Sequence, residues 1–298
     1  MNYVTFLNQI LPMIRERLPE GTDAQIRRIS KNNGVEYTAV CLCCTEKEGA
    51  SPLVYMEPFY DAFLTGMEDG RIADTVAEIL MRPMPASLRA SGLLSASYIR
   101  DHVVLRLVGK ERNQALLSEV VYRDFLDLAV TYGIYVENAD IGGGMTLVRR
   151  DMLEKWQITE EELYGYAFEN SNELLGDKLT GMSELLNAEK TEEAERMYVL
   201  TNRYAFYGAS AALYSDQIPM LAEQLGADLL ILPSSVHELI LTPREAGSYG
   251  FLKDLVREVN HTELRQENVL SDSVYLYRRD WNRITMFTEP NTDMTAEP

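Results

Sequence analysis

Leu229-Leu230-Ile231-Leu232-Pro233-Ser234-Ser235-Val236-His237-Glu238-Leu239-Ile240-Leu241-Thr242-Pro243 is the stretch on which the reading of this chain turns. Two apolar runs, Leu229 to Leu232 and Leu239 to Leu241, flank a Pro-Ser-Ser turn and a His-Glu pair. That pattern predicts two buried strands joined by a tight connection, with the turn at Pro233 to Ser235 and the second strand over Val236 to Thr242. Alternation along such a strand puts Ser235, His237 and Leu239 on one face and Val236, Glu238 and Ile240 on the other.

The neighbours of this stretch suggest a tandem arrangement. Upstream, Met197 to Thr201 reads as a strand, Asn202 to Tyr207 as a loop, Gly208 to Tyr214 as a second strand and Asp216 to Leu225 as a helix. Downstream, Ser248 to Asn260 reads as a helix with Phe251, Leu252, Leu255, Val256 and Val259 on one face. Two β-β-α units would form a sheet covered by helices on one side, with a further strand at Val274 to Tyr277.

Further out, Phe6, Leu7, Ile10, Leu11, Ile14 and Leu18 recur at helical spacing, with Pro12 expected to kink that helix and Gly21 to end it. Gln25 to Ser30 and Val35 to Thr45 form a hairpin around Lys31-Asn32-Asn33-Gly34, whose Asn-Gly step suits positive φ angles. A third strand is expected at Leu53 to Met56, then helices from Pro58 to Leu64 and through Ile72, Val76, Ile79 and Leu80. After the proline-bearing connector Met81 to Ser97, strands are expected at His102 to Val108, Leu116 to Tyr122, Leu126 to Val136 and Met145 to Val148. Gly142-Gly143-Gly144 is read as the turn into the last of them, because no Gly-Lys-Ser/Thr follows to make a phosphate loop. Asp151 to Lys190 is helical, opened by the capping box Thr159-Glu160-Glu161-Glu162.

The expected fold class is therefore α/β of the α+β type, with mixed or antiparallel sheets and helices packed on one face. Its parts are an α+β subdomain over 1–90, a β-rich region over 91–150, an acidic helical segment over 151–196, a β-β-α-β-β-α subdomain over 197–286 and a disordered tail over 287–298. At 298 residues with 46% hydrophobic and 25% charged composition, the chain suits two cores and excludes collagen, coiled coil and bulk disorder.

The formal charge of −18 argues against nucleic acid and anionic membranes as partners, since no excess of Lys and Arg exists to displace phosphate counterions. Asp151 to Leu200 holds 13 acidic and 4 basic residues, half of that charge. A basic protein partner is the expectation; Arg257, Arg265, Arg278, Arg279 and Arg283 read as scattered surface charge, with pairing to this segment within the molecule or in a homodimer as the alternative. Met1-Asn2-Tyr3-Val4 lacks the basic opening and apolar core of a signal peptide, no apolar run reaches the length of a membrane span, and a cytoplasmic location follows. Cys41, Cys43 and Cys44 are too closely clustered for a disulfide framework and read as thiols in a core strand.

Candidate chemistry gathers on Ser235, His237, Glu238 and Asp272. Ser235 and His237 on one strand face, with Glu245, Glu258 or Asp272 orienting the imidazole, would suit a serine hydrolase. No Gly-x-Ser-x-Gly elbow accompanies them, and Ser235-x-x-Glu238 equally has the spacing of a capping box. His237, Glu238, His261 and Asp272 are the nearest thing to a metal set, but no His-Glu-x-x-His or paired Cys-x-x-Cys is present. No cofactor and no metal is predicted.

Several blocks resemble a bacterial family known only as a domain of unknown function, number 5688. They are Asn32-Asn33-Gly34-Val35, Arg123 to Val130, Thr159 to Tyr164, Met197 to Asn202, Gly208-Ala209, Ile231 to Glu238, Val256 to Asn260 and Val269 to Asp272, covering the chain from Phe6 to about Arg278. The resemblance implies an intracellular bacterial α/β protein and brings no activity with it. Two functions of different class remain: a non-enzymatic interaction or regulatory protein with an acidic surface, which is preferred, and a hydrolase or metal-dependent enzyme centred on Ser235 and His237.

Overall fold

The computed structural model describes residues 1–43, 52–82, 95–136, 144–186, 196–244 and 249–288. Contacts divide the chain into two units, Met1–Ile99 and Arg100–Pro298.

The first unit is built on the predicted hairpin. Helix α1 (Tyr3–Arg15) is capped by Asn2, whose Oδ1 accepts from the amide of Thr5 at 2.9 Å. Pro12 lies inside this helix, which ends at Arg15 and not at Gly21 as its spacing predicted. Gly21, at φ +86°, serves instead in the turn that leads to β1 (Ala24–Ser30). Strand β1 pairs antiparallel with β2 (Glu36–Leu42), and β2 with the short β3 (Val54–Tyr55). The turn between β1 and β2 places Asn33 at φ +60° and Gly34 at φ +71°, the left-handed pair that the Asn-Gly step called for. Helices α2 (Glu57–Leu64) and α3 (Asp69–Leu80) follow. One stripe of α1 (Phe6, Ile10, Ile14) and one of α3 (Ile72, Val76, Leu80) meet Val40 and Val54 of the sheet in a single core. Each large apolar side chain withdrawn from water there contributes about 1.5–3 kcal/mol against the entropy lost in ordering the unit.

The second unit carries two sheets. Helix α4 (Ala96–His102) leads into β4 (Val103–Gly109), then α5 (Gln114–Glu119), β5 (Tyr122–Phe125), β6 (Leu128–Val136) and β7 (Gly144–Leu147). β6 is buried along its whole length, pairs with β4 on one side and shares its other side between β5 and β7. Its neighbour β4 is buried throughout as well. The predicted strand over Leu116 to Tyr122 is therefore corrected: its first half is helical. The carboxamide of Asn113 donates to the carbonyl of Gly109 at 2.7 Å and Leu117 turns inward, so packing overrides the β preference of the Val120-Val121 pair.

Helices α6 (Arg150–Trp156) and α7 (Glu160–Asn170) come next, with the capping box of Thr159 and Glu162 formed as expected. The acidic segment is not helical throughout, because β8 (Lys178–Gly181) follows before α8 (Met182–Leu186). β8 is an edge of the second sheet. Its order is β13-β12-β10-β11-β9-β8, antiparallel at every pair, with β9 (Tyr198–Thr201), β10 (Leu229–Pro233), β11 (Leu239–Pro243), β12 (Tyr275–Arg278) and β13 (Arg283–Met286). The molecule is thus an α+β protein whose sheets are all antiparallel among the described residues.

Between β9 and β10 lie two helices, α9 (Ala211–Tyr214) and α10 (Gln217–Leu225). The strand expected over Gly208 to Tyr214 is a correction: a 3-10 turn over Gly208–Ser210 runs into α9. A Cβ on Gly208 would lie 2.5 Å from the carbonyl oxygen of His237 and 2.7 Å from the amide nitrogen of Asn202, so the backbone here is wedged against two others and cannot extend into a ladder. Only the second β-β-α unit, β10-β11-α11 with α11 over Tyr249–Thr262, has the predicted form. Leu252 and Val256 of α11 cover Leu230, Leu232, Val274, Leu276 and Phe287 on one face of the sheet. Phe287, placed in the expected disordered tail, is buried in this core, whereas residues 289–298 lie outside the described residues. Gly142, Gly143 and Cys44 lie outside them too.

Candidate functional site

The turn between β10 and β11 is longer than predicted, because β11 begins at Leu239 and residues 234–238 are turn. The side chains of this turn are absorbed by its own backbone. Ser235 Oγ accepts from the amide of His237 at 3.0 Å, Ser235 N donates to the carbonyl of Glu238 at 3.2 Å, and Ser234 Oγ donates to Glu238 Oε1 at 3.2 Å. Val236, 1% exposed, donates its amide to the carbonyl of Asn268 at 2.8 Å.

The imidazole of His237 is held from both sides. Its Nδ1 accepts from the amide of Tyr207 at 3.2 Å, and its Nε2 stands 3.3 Å from Asn268 Oδ1. An amide can only donate, so Nδ1 carries no proton, and Nε2–H is the donor to Asn268. Burial pushes the pKa of the ring below its ordinary value; the hydrogen bond to Asn268 and the charge of Glu238 oppose that, and the Arg106 cation adds to it.

The loop that supplies Tyr207 is itself bent by a buried residue. Asn202, 1% exposed, accepts through Oδ1 from the amides of Tyr204 and Phe206 and donates from Nδ2 to the carbonyl of Phe206. Ala205 and Tyr207 are driven to φ +49° and +52°, costly values for side chains with a Cβ. The result sets Phe206 and Tyr207 around the imidazole, with ring centroids 6.1 and 5.6 Å away. Behind Tyr207 lies Arg106 of β4, only 4% exposed, with its guanidinium 3.8 Å from the centre of the Tyr207 ring.

Of the four residues singled out from sequence, Ser235, His237 and Glu238 share this turn and Asp272 does not. The ring nitrogens of His237 are taken by Tyr207 and Asn268, Ser235 Oγ is taken by a backbone amide, and Glu238 by Ser234. Asp272 instead pairs with Arg112 at 2.7 Å and accepts from Asn260 Nδ2 at 2.7 Å, in a crevice of about 240 Å³. Among the described residues the Ser-His-carboxylate relay is therefore not assembled; Glu245, also offered as its carboxylate, lies outside them. His261 lies in the last turn of α11. Among the described residues no group of three or more His, Cys, Asp and Glu side chains is placed to hold a metal ion; Cys41 is buried and Cys43 exposed.

Sequence reasoning missed a broad cleft of the second unit, about 590 Å³. β5 contributes Arg123 to Phe125, α7 contributes Tyr164, the α9–α10 segment contributes Asp216 and Ile218, and β12–β13 contribute Tyr277, Arg283 and Ile284. Arg123 is tied to Glu160 and Glu161 and stacks on Tyr164, and Asp124 is paired with Lys110. Asp216 and Arg283, both exposed, form no ion pair among the described residues. Segments this far apart carry no joint signal; the only local hint is the polar-apolar alternation of Arg283-Ile284-Thr285-Met286.

No helix among the described residues is long and apolar enough to cross a membrane. No curated protein and no solved structure matches the chain. A family model does match, over residues 3–279, and it carries the resemblance of the separate sequence blocks across nearly the whole length: the chain belongs to the family of unknown function DUF5688.

Proposed function

We propose that this chain is a non-enzymatic interaction or regulatory protein of the cytoplasm that engages a basic partner through the surface of α6, α7 and α8. The observation that carries this reading is the state of the carboxylates there. Asp151 is paired with Lys155, and Glu160 and Glu161 with Arg123, but Glu154, Glu169 and Glu184, together with Glu173 in the helical turn Ser171–Leu175 that follows α7, are exposed and form no ion pair among the described residues. Phe168, 39% exposed, lies on α7 next to Glu169 and beside the ring of Tyr164, an apolar contact adjoining an unneutralised charge. Carboxylates without an ion-pair partner keep an uncompensated charge, whose field within a Debye length steers a cationic surface toward them. The hydrogen bonds of the His237 turn support the same reading, since a hydrolytic role would require the imidazole to leave both of its partners.

Panning a random-peptide display library on the full chain tests this. Peptides rich in Lys and Arg are expected, with affinity that falls as salt is raised. Replacing Glu154, Glu169, Glu173 and Glu184 together by Gln should weaken them about fourfold or more, at roughly 0.2–1 kcal/mol for each exposed charge. Recovery of no basic sequences, or an affinity indifferent to the four substitutions, would retire the proposal.

A further inference from the structure

One wall of the cleft of about 590 Å³ is the end of a sheet. β13 pairs with β12 on one side, and among the described residues no strand pairs with its other side. The register tells which backbone groups are left open. The amide of Phe287 donates to the carbonyl of Val274 at 3.0 Å, and the pairing continues as Met286↔Tyr275, Thr285↔Leu276, Ile284↔Tyr277 and Arg283↔Arg278. In an antiparallel ladder, hydrogen-bonded and open pairs alternate, so Phe287, Thr285 and Arg283 turn their amides and carbonyls toward β12. Ile284 and Met286 turn theirs outward. Ile284 and Tyr277 also share the sheet face that lines the cleft, so the open edge and the cleft wall are the same short segment.

We infer that this cleft receives an extended peptide segment of the partner protein, added as a strand along the free edge of β13. The inference rests on the interaction reading above and names the form of the ligand. Main-chain groups of Ile284 and Met286 supply hydrogen bonds that any extended chain can meet. Phe125, Ile218 and Ile284 form an apolar wall for one side chain. Asp216 and Arg283, opposite charges with no ion pair of their own among the described residues, suit a segment in which that apolar residue is flanked by one basic and one acidic residue. β12 backs the edge on its other side, and Tyr277 OH donates to Asn282 Oδ1 at 2.8 Å, which fixes the corner from which β13 starts. The docking edge is thus held in place before any peptide arrives.

The test uses the full chain and the display-selected peptides. Ile284→Pro removes an outward amide and no ladder hydrogen bond, so the sheet survives while strand addition does not. It should weaken the peptides at least tenfold, with an unchanged far-UV spectrum. Asp216→Asn and Arg283→Gln, which leave the backbone alone, should each weaken them about threefold and relax the choice of the flanking charge. In amide spectra of the unsubstituted chain, the signals of Ile284 and Met286 should shift on binding more than those of Thr285. Peptides that bind but ignore all three substitutions and leave those amides unmoved would overturn the cleft and leave the acidic surface standing. If the chain selects no peptide at all, both readings fall.

Discussion

His237 shows what a single residue does here when its hydrogen bonds are assigned. As a neutral ring it accepts at Nδ1 and donates at Nε2; as a cation it can only donate, and the amide of Tyr207 is then left facing an N–H. Burial already lowers its pKa. The unfolded chain takes up a proton near the ordinary value of 6.5 and the folded chain only at lower pH, so the folded state binds fewer protons in that window. The stability contributed by neutral His237 is complete above pH 6.5 and is lost as pH falls below it. His237→Leu should cost about 1–3 kcal/mol at pH 8, from the stranded amide of Tyr207 and the stranded carboxamide of Asn268. Urea melts of both proteins from pH 8 to pH 5 check this: the difference between them should shrink as the pH falls, and a difference that stays constant would deny the neutral ring its part.

Elements explain which parts of the fold the sequence discloses. The β1–β2 hairpin and α1 are legible because each is specified locally, one by an Asn-Gly step and the other by a 3.6-residue apolar stripe. Gly208 to Tyr214 is not, because its conformation is imposed by β9 and the His237 turn. A side chain at Gly208 would also meet Thr201 Oγ1, which donates to the carbonyl of His237 at 2.7 Å. Gly208→Ala should therefore destabilise the protein by about 3 kcal/mol, the upper part of the range for overpacking, since two of the obstructing groups are backbone and cannot rotate away. Thermal melts would show it; a loss below about 0.5 kcal/mol, ordinary for a surface change, would mean that the loop yields. The site divides along the same line. Ser235, His237 and Glu238 lie in one short stretch and stand out, whereas Arg106, Tyr207 and Asn268, which give the imidazole its environment, come from three distant segments. Asp272 looked like a partner only because sequence gives no distances, and β13 was missed because four residues after a left-handed Asn282 are too few to show a period.

Across the whole molecule, charge is what most distinguishes this protein. A balance of −18 is compatible with folding because much of it is spread over exposed helices, and because several carboxylates are tied to arginines, as Asp228 is held near both Arg244 and Arg278. In the proposed function the carboxylates left unneutralised on α6 to α8 meet the partner, and the open edge of β13 is the direction along which the inferred segment would lie. Both features fit a protein that acts by recognition. Hydrogen–deuterium exchange of the full chain, with and without a display-selected basic peptide, tests this most directly. Slowed exchange confined to α6–α8 and β13, with the His237 turn unchanged, is the predicted result. Protection centred on residues 202–210 and 234–238, with the acidic helices and β13 exchanging as before, would contradict it and make the His237 turn the binding site instead.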